Sequence, residues 1–364
     1  MTAAEPAPPD AGVLSKLVTV VFVVLFGLTI ALVIFSFPAG LYAVFHGGLS
    51  SQVPPLGYGT FVETYLWIGP VPAIIPLAVP IGGLFILLTI IYAGLFLFGA
   101  LQPRSAVQAI REAFRTGVGA LTSSPLVVIL VAIGFLWFSL NTIADISSVA
   151  AGPVGNPFTN IDPLLEFGSL TMAPLREELG FRLVLIGLVA FILCMGKPVR
   201  QALKALWRPS VAYEGALVGG ATSVIIWLAV VASAATFGVC HVNCGGSGGY
   251  NWSYLPAATW GGLVLGYLYV KYGLHVAILT HWGIDYLGSV YSYFGQSAFG
   301  ISANSGTTVY IGQYLLDVDM FFLFGIVCFI LVVYLGVKRL AERRRAASLG
   351  FVDKGLQPGG GIEP

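Results

Sequence analysis

The chain has 364 residues, of which 57% are hydrophobic and only 9% are charged, and its formal net charge at pH 7 is +1. A soluble domain carries about a quarter charged residues, so this composition excludes an ordinary soluble globular protein. The net charge by itself says nothing about nucleic acid, but no basic stripe interleaves with the aromatic residues, so nucleic acid is not an expected partner.

Apolar segments follow one another along the chain and predict an all-α, polytopic membrane protein. Crossing the hydrocarbon core of a bilayer takes about 20 apolar residues as a helix. The first apolar segment is too long for the hydrophobic region of a signal peptide and is interpreted as a transmembrane helix. Pro76 and Pro80 are expected to kink or shorten the second segment. About eight transmembrane helices are predicted, at residues 14–37, 72–101, 125–144, 174–196, 213–242, 255–272, 274–294 and 314–337.

Lysine and arginine residues indicate how these helices are oriented. They lie in the connections after the second, fourth and sixth helices and after the last one. The loops at 38–71, 145–173, 243–254 and 295–313 contain none. Because cytoplasmic loops carry the excess of lysine and arginine, both termini are predicted to be cytoplasmic. The protein is therefore expected to be an integral, multi-pass protein of the cell membrane.

The domain organisation is simple, since neither a soluble domain nor an internal repeat is visible. Residues 1–12 and 344–364 are rich in proline and glycine and are predicted to be flexible tails. The transmembrane helical domain is expected to cover 13–343. Residues 104–115 form a short basic amphipathic segment that is expected to lie on the inner leaflet.

Several ionisable residues fall inside the predicted helices. Glu177 and Glu178 lie near the start of the fourth helix, His241 near the end of the fifth, and His281 and Asp285 within the seventh. A charged group inside a bilayer costs a few kcal/mol or more, so such residues tend to be functional. These positions are therefore the candidate site.

Helical spacing predicts which way the ionisable side chains of the fourth helix point. Glu178 and Arg182 are four residues apart, so they share a face and can pair. Glu177 is rotated from Glu178 by about 100° and is expected to face a cavity. Pro174 is expected to begin the helix, which would place Glu177 near the positive end of the helix dipole. Arg176 is expected to extend to the interface.

Three short motifs follow in order: "EELGFR" at 177–182, "FGVCH" at 237–241 and "HWGID" at 281–285. Together they resemble the CAAX protease and bacteriocin-processing family of glutamate intramembrane proteases. The resemblance covers roughly 164–294, which is expected to form a protease-like core. This sequence departs from the family at Asp285, where the better-described peptidases carry asparagine.

The resemblance implies hydrolysis of a peptide bond in a membrane-associated peptide or protein. Glu177 would be the base that activates water, His241 would position the water, and His281 with residue 285 would stabilise the oxyanion. Glutamate, histidine and water suffice for this chemistry, so neither a metal nor another cofactor is expected. The expected partners are the peptide substrate and the lipid bilayer.

Supporting roles follow for the neighbouring residues. Glu178 and Arg182 would fix the helix and the field around the base, and Phe237 is expected to pack beside His241. An ionised Asp285 would repel an oxyanion. It is therefore either protonated or an acceptor that orients His281, and the second interpretation is favoured.

Alternatives remain open for the function. The same motifs would fit a non-catalytic relative, such as a scaffold or immunity protein. A proton-coupled transporter is less favoured, because no repeat-related halves are visible. "CHVNC" at 240–244 together with His281 would offer zinc ligands, although a membrane cysteine is more often a small apolar filler. Cys240 and Cys244 are expected to be a poor disulfide pair. The pair of Glu178 and Arg182 would also serve a purely structural role.

The position of the motifs along their helices predicts where the site lies. Glu177 is expected near the outer start of its helix and His241 near the outer end of its own. The site is therefore expected to lie between the middle and the outer half of the membrane, which disfavours a prenylated cytosolic substrate.

Overall fold

The computed structural model describes residues 12–46, 61–155, 161–213, 220–243, 250–299 and 320–355. Helices account for most of this part of the chain. They are α1 Val13–His46, α2 Ile81–Ala100, α3 Ala106–Thr116, α4 Pro125–Ala151, α5 Pro163–Glu177, α6 Leu188–Leu193, α7 Val199–Trp207, α8 Ala221–Asn243, α9 Leu255–Tyr272, α10 Leu274–Trp282, α11 Gly288–Phe299 and α12 Met320–Gly355. Short 3-10 turns occupy Val118–Ser123, Pro209–Ala212 and Trp252–Tyr254.

The structure confirms the predicted fold class, a helical membrane protein. Five helical stretches are long and apolar enough to cross a bilayer: Ser15–His46, Ile81–Ala100, Pro125–Ala151, Ala221–Asn243 and Phe321–Glu342. The described part of each of the eight predicted segments lies largely on helix, and the last segment begins outside the described residues. A crossing number of eight and cytoplasmic termini remain predictions. The helix α12 continues to Gly355, into the segment predicted to be a C-terminal tail.

A β-hairpin corrects the prediction of an all-α chain between residues 61 and 80. Strand β1, Phe61–Ile68, pairs antiparallel with strand β2, Val71–Pro80, in a two-stranded sheet. The second predicted helix was expected to begin at residue 72, but α2 begins only after Pro80. Proline within a helix removes a hydrogen bond and clashes with the preceding turn, so three prolines within nine residues of β2 disfavour helix there. The helix is thus shortened, as was expected from Pro76 and Pro80.

The hairpin turn connects this sheet to the helical bundle. Gly69 forms the turn with a φ of 59°, a conformation that favours glycine. Its N–H donates to the carbonyl of Gly180 at 3.3 Å, so the tip of the hairpin contacts the helix that carries the candidate site.

The start of α5 differs from the prediction. Asp162 caps the helix by accepting a hydrogen bond from the Leu164 N–H at 2.9 Å, and Pro163 is the first helical residue. Pro174 therefore lies inside the helix, and the predicted start was wrong. Glu177 is about 21 Å from the helix start at the standard rise, beyond the reach of the terminal dipole.

Two π-helical segments interrupt the α-helical geometry next to the candidate site. Glu178–Gly187 joins α5 to α6, and Gly283–Leu287 joins α10 to α11. The carbonyl of Phe181 accepts a hydrogen bond from the Ser233 hydroxyl on α8 at 2.8 Å. Such segments are frequent at functional sites, and here they hold Glu178 and Asp285.

Close packing brings α8 and α9 together on the other side of the site. A Cβ on Gly262 would lie 2.8 Å from the Cα of Ala234, so only glycine permits this approach of the two backbones. Small residues play this role generally in membrane helix pairs. The contact holds the end of α8, with His241, against the start of α9.

Candidate active site

A cavity of about 140 Å³ lies between α4, α5, α8, α9 and the helix formed by α10 and α11. This is room for more than one water molecule. Its ionisable lining comes from the predicted site residues and from three side chains that were not predicted to belong to it. The ionisable side chains at its wall are Arg176, Glu177, His241, Tyr250, Tyr254, His281 and Asp285.

The carboxylate of Glu177 lies between two imidazole rings. Its Oε2 atom is 3.8 Å from Nε2 of His281 and 4.0 Å from Nε2 of His241. These distances exceed a direct hydrogen bond and allow a bridging water molecule. The Glu177 side chain is 14% exposed and lines the cavity, in the direction that its helical spacing indicated.

Glu178 points away from the cavity and is completely buried. Its Oε1 atom accepts a hydrogen bond from Nδ1 of His281 at 2.8 Å and lies 3.2 Å from Nη1 of Arg182. The pairing with Arg182 was expected, whereas the contact with His281 was not. Because Nδ1 donates to a carboxylate, Nε2 of His281 is directed toward the cavity.

Asp285 contacts the other nitrogen of the same ring. Its Oδ2 atom lies 3.4 Å from Nε2 of His281, a longer contact than that of Glu178. The favoured interpretation gave Asp285 the task of orienting His281. In this geometry Glu178 makes the shorter hydrogen bond, and Asp285 lies at the cavity wall.

His241 is oriented by the backbone of its own helix. Its Nδ1 atom lies 2.9 Å from the carbonyl oxygen of Phe237. A carbonyl only accepts, so Nδ1 carries the proton and Nε2 presents a lone pair toward Glu177. His241 can therefore accept a hydrogen bond from a water molecule bound beside that carboxylate.

The ring of Phe237 contacts three members of the site. The guanidinium carbon of Arg182 lies 4.2 Å from its centroid, which is cation–π geometry. The rings of His241 and His281 lie 4.3 Å and 5.9 Å away. Packing beside His241 was predicted, and the other two contacts extend that role to both histidines.

Arg176 does not extend to the interface as expected. The residue is buried, with 7% of its surface exposed, and its Nη2 atom lies 4.0 Å from Oε1 of Glu177. The reason is the earlier helix start at Pro163, which places Arg176 near the middle of the continuous helix from Pro163 to Leu193 and next to the cavity.

Tyr250 and Tyr254 are site residues that the motifs did not reveal. Their rings stack at 4.2 Å, and each centroid lies 6.0 Å from that of His241. Burial raises the pKa of both phenols above the ordinary tyrosine value. Both hydroxyls therefore keep their protons and can donate into the cavity. Their aromatic, uncharged loop was the only sequence signal.

The state of the cysteines decides whether their sulfur atoms could serve as zinc ligands. Cys240 is disulfide-bonded, so its sulfur is not a free thiolate for a metal, and Cys244 lies outside the described residues. Cys194 and Cys328 are buried free thiols. In the described ranges, no three histidine, cysteine, aspartate or glutamate side chains are arranged to hold a metal ion.

Comparison with protein families gives a match for this part of the chain. A family model described as Rce1-like, type II CAAX prenyl endopeptidase, matches residues 162–287. Comparison with curated proteins and with solved structures gives no match. The matched segment runs from the cap of α5 to the end of the second π-helical segment and contains all the predicted site residues.

These findings define an integral membrane protein in which glutamate and histidine side chains meet at one cavity. Over residues 162–287, the chain is similar to the Rce1-like endopeptidases of the CAAX protease and bacteriocin-processing family. The resemblance stated from the three motifs is thereby confirmed.

Proposed function

We propose that the protein is an intramembrane endopeptidase that cleaves a membrane-associated peptide or protein with water activated by Glu177. One observation carries this proposal: the Glu177 carboxylate lies at a cavity wall, 3.8 Å and 4.0 Å from two imidazole nitrogens. The match of residues 162–287 to a protease family model supports it.

The chemical step uses the atoms that face the cavity. A water molecule between Glu177 and His241 gives a proton to the Glu177 carboxylate, and its oxygen attacks the carbonyl carbon of the scissile peptide bond. The tetrahedral intermediate collapses as Glu177 returns this proton to the leaving nitrogen. The C–N bond breaks, and a carboxylic acid and an amine are released.

The oxyanion needs donors that Asp285 cannot supply while it is ionised. His281 in its imidazolium form donates Nδ1–H to Glu178 and can direct Nε2–H to the oxyanion. We assign a second donor to the Tyr254 hydroxyl. Tyr254 directly precedes α9, lines the cavity and remains protonated.

Replacing Tyr254 by phenylalanine is expected to lower kcat by roughly 100-fold, the usual cost of one lost oxyanion donor. Asp285→Asn in the same chain should reduce that loss, because it adds an amide donor. Tyr250→Phe is the matched control and should change kcat little. Equal losses in both tyrosine variants, without relief by Asp285→Asn, would indicate that the stacked pair has a packing role only.

The cavity is proposed to open toward the outer side of the membrane. Glu177 lies near the middle of the continuous helix from Pro163 to Leu193, and His241 lies near the end of α8. Disulfides persist in oxidising compartments, so the bond at Cys240 supports an external location for that end of α8. The lysine and arginine distribution supports the same orientation.

A cleavage screen tests the proposal. Purified protein in liposomes is incubated with membrane-anchored, prenylated and secreted peptides, and the products are identified by mass spectrometry. Hydrolysis of a peptide by wild-type protein and not by Glu177→Ala would support an endopeptidase. Peptide binding without turnover across the panel would favour the non-catalytic alternative.

Activity is expected to be independent of metal. Dialysis against a chelator should leave turnover unchanged, because a carboxylate, two imidazoles and water supply the required proton transfers. Elemental analysis of the dialysed protein provides the measurement. Stoichiometric zinc whose removal stops turnover would contradict this expectation.

A further inference from the structure

A second cavity of about 420 Å³ lies on the side of the bundle, between α4, α9 and α12. It does not share a lining residue with the catalytic cavity. Its walls are almost entirely apolar, with Val128, Val264 and Leu331 among the residues from the three helices. We call this cavity the side groove.

The length of the side groove corresponds to one leaflet. Its lining runs along α9 from Trp260 to Tyr272, about 18 Å at the helical rise, and along α12 from Leu331 to Arg339, about 12 Å. One half of a bilayer's hydrocarbon core is about 15 Å thick. The groove therefore has the length of an acyl chain within a single leaflet.

The mouth of the side groove is basic. Arg339 lines it near the end of the apolar span of α12, and Tyr272 lines it at the end of α9. The ammonium of Lys271 lies 6.0 Å from the centroid of the Tyr272 ring. The acidic Glu342 lies 4.0 Å from Lys338. Arg339 in the lining and Lys271 beside Tyr272 thus place two cations at this end of the groove.

Aromatic rings close the end of the side groove that lies opposite Arg339. The Trp260 indole N–H donates to the Ser139 hydroxyl of α4 at 2.9 Å, which fixes the ring between the two helices. Phe135 lies 6.1 Å from Trp260 and stacks on Phe329 at 5.7 Å. An acyl chain that enters at Arg339 would end at this floor.

We propose that the side groove binds one anionic phospholipid, with an acyl chain between α4, α9 and α12 and its phosphate at Arg339 and Lys271. Basic pockets between membrane helices bind anionic headgroups in general. This site is separate from the proposed catalytic function and does not depend on it.

Quenching of Trp260 fluorescence tests the site. The purified full-length protein is titrated in detergent with phosphatidylglycerol or phosphatidylcholine that carries bromine on its acyl chains. The Trp260 contribution is the difference between wild-type protein and Trp260→Phe. Phosphatidylglycerol is expected to quench this contribution at lower concentration than phosphatidylcholine. Equal affinity for both lipids would overturn the assignment of an anionic headgroup.

Charge and shape variants separate specific binding from a general lipid coat. Arg339→Gln should raise the apparent Kd for phosphatidylglycerol about five-fold, the effect of losing one cation at the membrane surface. Arg344→Gln, in the same helix but not at the groove, is the charge-matched control and should leave it unchanged. Equal effects of the two variants would overturn the role of Arg339.

Filling the side groove tests the acyl chain. Gly336 lines the groove, and a Cβ there would meet nothing within 4 Å, so Gly336→Leu can enter the space without a clash. It should remove most of the Trp260 quenching. Val337→Leu introduces the same leucine side chain at an exposed position and should leave the quenching unchanged. Unchanged quenching in Gly336→Leu would overturn the groove as the binding site.

Discussion

Glu177→Gln is expected to lower kcat by roughly 10³- to 10⁴-fold, with little change in thermal stability. The amide keeps the shape of the side chain but cannot take a proton from water, and general-base catalysis contributes up to about this factor. Within the described part of the chain, the Glu177 carboxylate makes only long ion-pair contacts, of 3.8 to 4.0 Å, so its neutralisation leaves little uncompensated charge.

The measurement is turnover of the peptide identified in the cleavage screen, together with the melting temperature in detergent. Glu112→Gln on the exposed helix α3 is the matched control, since it makes the same chemical change away from the cavity. Full activity of purified Glu177→Gln would exclude Glu177 as the base.

Glu178→Leu is expected to destabilise the protein by about 3–5 kcal/mol and also to abolish turnover. The substitution leaves Arg182 buried without its partner carboxylate, which is strongly unfavourable. It also removes the acceptor of the His281 Nδ1–H. Stability is measured by unfolding in detergent and activity with the same peptide.

A double variant separates these two effects. Glu178→Leu with Arg182→Met removes both buried charges, so the stability should return to within about 1–3 kcal/mol of the wild type, the cost of one unsatisfied nitrogen on His281. Turnover should stay at least roughly 100-fold below wild type, because the imidazole has lost its orientation. Joint recovery of stability and turnover would mean that the pair is purely structural.

The local part of the site could be predicted from spacing along one helix. Residues four apart share a helix face, which indicated the pair of Glu178 and Arg182 and turned Glu177 toward a cavity. The hydrogen bond from His281 to Glu178 joins residues that are 103 positions apart. Its existence depends on how α5 and α10 pack, which no periodicity within either helix reveals.

The errors in the fold have local causes. The stretch 145–173 is polar enough to be interpreted as a loop, yet Asp162 and Pro163 supply a cap and a first residue for α5. Residues 72–80 are apolar enough to be interpreted as the start of a helix that Pro76 and Pro80 would kink or shorten, but with Pro72 these prolines favour a strand along the whole segment. In both cases the prediction followed the average hydropathy of the segment, whereas a few individual residues determine its backbone conformation.

The π-helical segment after Glu177 has a consequence for how this protein can diverge in sequence. Two of its backbone oxygens, at Gly180 and Phe181, accept hydrogen bonds from the hairpin turn and from Ser233. Every amino acid carries a carbonyl oxygen, so the acceptor side of each bond persists whatever side chain evolution places at these two positions. Sequence conservation is therefore expected at the donor residues. Only proline would abolish the amide donor at position 69, whereas most replacements at position 233 would remove the hydroxyl. Homologues should therefore keep a small hydroxyl residue at position 233 on α8, whereas at position 69 the positive φ, and not the hydrogen bond, favours glycine.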